Sequence, residues 1–203
     1  MQKEASSPTR KRPIIEVNNE VIRMLERKIA YFEEYGPQNT EKVIESVKSR
    51  IERGGIQTIV AASSTGKTGI KLSETLSGLA HIIIVSHGEM NPQYKKQIIE
   101  RGGTPLEKTH LPLHLDKMDD IRESFRTFGQ GFKVAVEVIL IAADTGQIPL
   151  YNDVIGMGGT ARGSDTAIIA RATTTKEIFS RDRRKNLEIR EVLAMPLKKK
   201  WWA

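Results

Sequence analysis

The six residues Ser63-Ser64-Thr65-Gly66-Lys67-Thr68 bring together four hydroxyls, a glycine and a lysine, the residue types that grip a phosphate. A strand-forming run over 57–62, apolar from Ile59 to Ala62, precedes them, and Leu72, Leu76 and Leu79 follow at helical spacing. The loop is therefore expected between a strand and the first turn of a helix. A helix start carries unpaired backbone N–H groups and the positive end of the helix dipole, which together hold an anion. Gly66 lets the backbone come close, and Lys67 adds charge. Two other readings use the same residues. A hydroxyl-rich loop can simply cap its own helix. A nucleoside triphosphate loop would need Gly-x4-Gly-Lys-Ser/Thr. Gly66-Lys67-Thr68 fits that pattern, but Ala61 stands where the first glycine belongs, and no apolar strand ends in a convincing magnesium-binding aspartate.

The second candidate is Gly156-Met157-Gly158-Gly159-Thr160-Ala161-Arg162-Gly163-Ser164-Asp165-Thr166, with four glycines in eight residues. Such a density weakens regular structure and is kept where backbone takes unusual angles or approaches another group closely. Arg162 suits bidentate contact with phosphate, and Asp165 suits a ribose or ribityl hydroxyl. Gly158, Gly159, Thr160, Gly163, Ser164 and Thr166 complete the candidate loop. Gly156-x-Gly158-x-x-Ala161 formally matches a dinucleotide fingerprint, but a strand rather than a helix is expected after it. The plain alternative is a glycine-rich turn with a surface arginine.

Three further side chains enter as candidates. Lys133 and Glu137 are four apart in an otherwise apolar helix over 132–143 and so share a face. They form a structural ion pair, the preferred reading, or line the ligand cleft together. His87 and His110 follow the third and fourth core strands, at the rim where parallel sheets bind ligands. With four histidines and no cysteine, thiolate chemistry, disulfides and cysteine zinc sites are excluded, and a transition-metal site is not expected.

The elements that must position these groups alternate. Strands are expected at 28–32, 57–62, 81–86, 104–108 and 167–172, with a last edge strand at 187–195. Helices are expected at about 40–51, where Val43, Ile44, Val47 and Ile51 share one face, after Lys67, at 92–101, and as one long helix over 119–143. Residues 14–26 are read as adding a short helix. The alternation implies right-handed crossovers and a mostly parallel sheet. Residues 1–13 read as a flexible basic tail and 14–203 as one α/β domain, long enough to bury a substantial core.

The net charge of +7 invites a nucleic-acid reading. Lys3, Arg10, Lys11 and Arg12 against Glu4 give the first 13 residues +3, and Lys198 to Lys200 add another +3. The body is left near +1, without the basic stripe that nucleic-acid binding requires. The longest apolar runs, 82–85 and 138–143, are too short to cross a bilayer, and no apolar segment beside the N-terminal basic residues marks a secretory leader. The residues thus predict a cytoplasmic protein whose partner is a phosphorylated small molecule, with neither a membrane nor nucleic acid as partner and with room for a homo-oligomer.

Several separated motifs carry a resemblance. Ser63-x-x-Gly66-x-Thr68, Thr109-His110, Phe128-Gly129-Gln130-Gly131-x-Lys133-Val134-x-Val136-Glu137, Ala142-Ala143-Asp144-x-Gly146-x-Ile148-Pro149 and Gly159-x-x-Arg162-Gly163-x-Asp165-Thr166-Ala167 occur in that order. Over residues 28–196 the chain resembles the stand-alone pyruvate kinase C-terminal-domain-like proteins of archaea and bacteria. The first loop is also similar to the effector-phosphate loop of true pyruvate kinases. The resemblance implies a three-layer α/β/α fold, with a mostly parallel five-stranded core sheet plus C-terminal edge strands. It implies flavin mononucleotide (FMN) as the ligand but no reaction; a flavin-dependent oxidoreductase is then the first expectation, and a non-catalytic sensor of a sugar phosphate or other phosphorylated metabolite the alternative. It gives no pyruvate kinase activity, because the barrel that carries that enzyme's substrate is absent. The chain departs from the pattern by short stretches after His87 and His110, and by Ser86-His87 where a His-His pair is frequent.

Overall fold

The computed structural model describes residues 14–17 and 20–200. The expected basic tail at 1–13 and the pair Trp201-Trp202 lie outside the described residues. Strands β1 (Ile14–Val17) and β2 (Glu20–Arg23) pair antiparallel as a small separate sheet, in place of the short helix expected there. The isoleucines and valines at 14, 15, 17, 21 and 22 are β-branched and favour the extended state.

The main sheet has seven strands in the order β3-β9-β8-β7-β4-β5-β6. These are β3 (Ala30–Phe32), β4 (Thr58–Ala62), β5 (His81–Val85), β6 (Thr104–Leu106), β7 (Asp153–Gly158), β8 (Thr166–Arg171) and β9 (Glu188–Pro196). The neighbours β7, β4, β5 and β6 run parallel, β8 alone is reversed, and β9 and β3 return to the common direction. The chain is α/β as expected, and its sheet is mixed and seven-stranded, with six strands sharing one direction. The last strand, expected at an edge, lies inside between β8 and β3. Its apolar end, Leu193 to Met195, is buried, and only tertiary pairing decides that a half-polar strand is covered on both sides.

Helices cover both faces. Alternate residues Ile59 and Ala61 of β4 face α1 (Thr40–Ile51), α2 (Lys67–Leu76) and α3 (Pro92–Glu100), while Val60 faces α5 (Gln130–Asp144). Full burial of Ile59 or Val60 is worth roughly 1.5–3 kcal/mol, so the two faces lock the strand's register. Asn91 starts α3 by accepting hydrogen bonds at Oδ1 from the N–H groups of Gln93 and Tyr94, a side-chain cap. Leu79, expected on the buried side of α2, lies beyond the helix end and is 47% exposed. The expected long helix is two: α4 (Asp119–Arg126) and α5, broken at Gly129 with φ 105°. No helix among the described residues is long and apolar enough to cross a membrane.

Candidate functional site

The loop 63–66 joins the end of β4 to the start of α2, and its carbonyls are all engaged. Ser63 O accepts from Gly66 N–H at 3.2 Å, Thr65 O from Asn91 N–H at 3.1 Å, and Gly66 O from Ile70 N–H at 3.0 Å. Ser64 O accepts from the Ser86 hydroxyl at 3.1 Å. The N–H groups are treated differently. Those of Ser64, Thr65 and Thr68 have no acceptor among the described residues, and Lys67 N–H reaches only Thr65 Oγ1 at 3.4 Å. Gly66 sits in the left-handed region at φ 92°, where a Cβ would also come within 3.0 Å of Tyr94 Cβ. The backbone thus turns its acceptors inward and leaves donors outward at a helix N-terminus, where the dipole already favours an anion.

These donors open on a cleft of about 920 Å³. Its other wall is the tip of the second loop, Gly159, Ala161, Arg162 and Gly163, with Gln130 and Val134 of α5 and Thr40 and Lys71 between. Thr68 is 7% exposed and its hydroxyl has no partner among the described residues, while Ser63 Oγ accepts weakly from Gly69 N–H at 3.4 Å. The side chains of Lys67 and Arg162 make no ion pair among the described residues, whereas Lys71 is held by Glu41 at 2.6 Å. Among the described residues, three cations and no unpaired carboxylate therefore border the cleft.

The rest of the second loop is built into the protein. Gly156 and Gly158 belong to β7 and lie against α5, where a Cβ on Gly156 would stand 2.7 Å from Ile139 Cδ1 and one on Gly158 2.6 Å from the Ala135 nitrogen. Their glycines serve helix–strand contact and leave no room there for a flat ring. Asp165, expected to hold a ligand hydroxyl, is 0% exposed. Its carboxylate accepts from Gly36 N–H at 3.0 Å, Thr160 N–H at 3.1 Å and the Thr166 hydroxyl at 2.9 Å. Ser164 is also fully buried, and its N–H donates to Thr40 Oγ1 at 3.0 Å. Burial holds the Lys199 ammonium below the usual lysine range, against the opposing pull of Asp165.

Of the remaining candidates, none lines the cleft. Lys133 is buried and paired with Glu137 at 2.9 Å, which also accepts from Leu113 N–H at 3.3 Å. This is the structural ion pair. His114 joins it, with Nε2 3.3 Å from Lys133 Nζ, and burial, then the Lys133 charge, lower its pKa. His87 Nδ1 is 2.8 Å from Thr109 O, and His110 Nε2 pairs with Asp144 at 3.0 Å. Among the described residues, no group of three or more His, Asp or Glu side chains could hold a metal ion.

Lys71 and Thr40 are cleft residues that the sequence did not single out, and Gln130 and Val134 entered only through the resemblance. A signal for Gln130 did exist, since it begins a helix between two glycines, Gly129 and Gly131. No family model matches the chain.

Proposed function

We propose that the cleft between the loop 63–68 and the tip of the loop 159–163 binds a phosphorylated small molecule. The observation that carries this is the set of open N–H groups of Ser64, Thr65 and Thr68 at the start of α2, with every carbonyl of that loop engaged. Thr68 also lines the cleft, and its hydroxyl, without a partner among the described residues, is free to join the backbone donors in holding a phosphate. The cleft's volume lies within the range of about 300–1,000 Å³ common for small-molecule sites. A smaller groove of about 400 Å³ beside α1 is less suited to an anion. Two carboxylates line it, Glu191 held by Arg50 at 3.1 Å and Glu45 by Lys42 at 2.7 Å.

FMN is the ligand we favour within this class, on the strength of the resemblance. The residues present fit it: Ser64 to Thr68 would hold the phosphate, with Lys67 and Arg162 adding charge, and Val134 and Ala161 offering apolar contact. A bound flavin would supply a two-electron redox centre. Calorimetric titration with FMN, riboflavin and ribose 5-phosphate tests the reading. FMN should bind, and riboflavin, lacking the phosphate, at least tenfold more weakly. Equal binding of FMN and riboflavin would mean that the loop holds no phosphate. Binding of ribose 5-phosphate but not FMN would favour the sugar-phosphate sensor.

A further inference from the structure

The α5 side of the cleft begins with Gln130, which is only 6% exposed. Its Oε1 accepts a hydrogen bond from Arg126 Nε at 3.0 Å, and its backbone N–H donates to Lys200 O at 2.9 Å. A guanidinium has donors only. The amide must therefore face Arg126 with its oxygen, and its NH2 group must point the other way. That group has no acceptor among the described residues, and the open space beside Gln130 is the cleft. Arg126 brings no spare charge to the position, since its Nη1 is held by Glu123 at 2.8 Å. What the protein presents there is an uncharged donor on a largely buried side chain whose oxygen is already fixed by Arg126.

We propose that Gln130 is a specificity-determining residue whose Nε2 donates to an uncharged acceptor, a carbonyl oxygen or unprotonated ring nitrogen, on the part of the ligand away from its phosphate. This rests on the reading of the cleft as a phosphate site. It narrows the ligand to phosphate monoesters of a ring or carbonyl compound. A ligand ammonium would set donor against donor. A saturated sugar phosphate offers only hydroxyl and ring-ether oxygens, which are weaker acceptors than a carbonyl or a ring nitrogen.

The test compares FMN and adenosine 5′-monophosphate, which carry such acceptors, with ribose 5-phosphate and inorganic phosphate, by calorimetry on the parent, Gln130→Met and Gln130→Glu. Methionine keeps the side chain's length and removes the donor. Glutamate keeps an oxygen toward Arg126, which protects the fold should the methionine variant fail to fold. Its charge acts on every phosphate alike and cancels in affinity ratios. The parent should prefer FMN or adenosine 5′-monophosphate over ribose 5-phosphate, and both variants should lose about tenfold of that preference, about 1.4 kcal/mol. Affinity for inorganic phosphate should stay within about twofold in Gln130→Met. A parent without the preference, or variants that retain it, would overturn the role of Gln130 while leaving the phosphate site standing. A parent that binds none of the four would remove the phosphate site and this inference with it.

Discussion

The loop 63–68 and the loop 156–166 both looked like ligand loops by composition, yet their polar groups have opposite fates. In the first, three N–H groups and the Thr68 hydroxyl, all on the cleft, have no partner among the described residues. In the second, Asp165 and the N–H groups of Thr160 and Ser164 are spent on the protein itself. Only the tip around Ala161 and Arg162 reaches the cleft. Glycine-rich sequence marks close backbone approach, but it does not say whether the approaching group is a ligand or a helix. Hydroxyl-rich sequence at a helix start leaves fewer alternatives, because the first N–H groups of a helix lack intrahelical acceptors in any case.

The comparison breaks most clearly at Asp165. Replacing it by alanine should lower stability by about 3–5 kcal/mol, the scale of breaking a buried charged network. Urea denaturation measures this; a loss below about 1 kcal/mol would mean that the loop is not held by the carboxylate. The converse is Lys67→Ala in the first loop. It should weaken FMN binding by about 1–3 kcal/mol, the scale of a hydrogen bond to a charged group, and change stability by less than about 0.5 kcal/mol. Unchanged affinity would reduce the loop to a helix cap.

A smaller effect sharpens the contrast at α5. Burial, then Lys133, lower the His114 pKa below its usual 6.5, and Glu137 opposes them. The folded chain keeps the imidazole neutral while the unfolded chain takes up a proton near that pH. Stability present above pH 6.5 should therefore be lost as pH falls through 6.5 toward the lower folded value. His114→Gln should remove this part of the slope in melting temperature between pH 7.5 and 5.5. An identical slope in parent and variant would exclude His114 as its source.

The first loop, its strand and its helix were legible because local rules suffice there: an apolar run, a hydroxyl-rich turn, then leucines at helical spacing. The break before α5 was hidden because Phe125, Phe128 and Phe132 continue a helical period across Gly129, although Phe128 is half exposed and stacks on Phe132 at 4.7 Å. The fate of Asp165 could not be read locally, since one of its partners, Gly36, is 129 residues away. The pair Lys133–Glu137 was readable as an ion pair from spacing and the cost of burying a lone charge. Which side of α5 faces the cleft was not, because the pattern is apolar all round.

Strand β3 has one partner in the sheet, β9, with Ala30 beside Ala194. During synthesis from the N-terminus, residues 30–32 wait for the last strand of the sheet before they can pair. The same delay applies to the contact of Gly36 with Asp165. Closing so long a stretch of chain is slow because its entropy is lost before the pairing returns anything. A nascent chain halted before residue 188 would hold β4 to β8 with β3 unpaired, and the edge of β8 would then be open to a strand from another molecule.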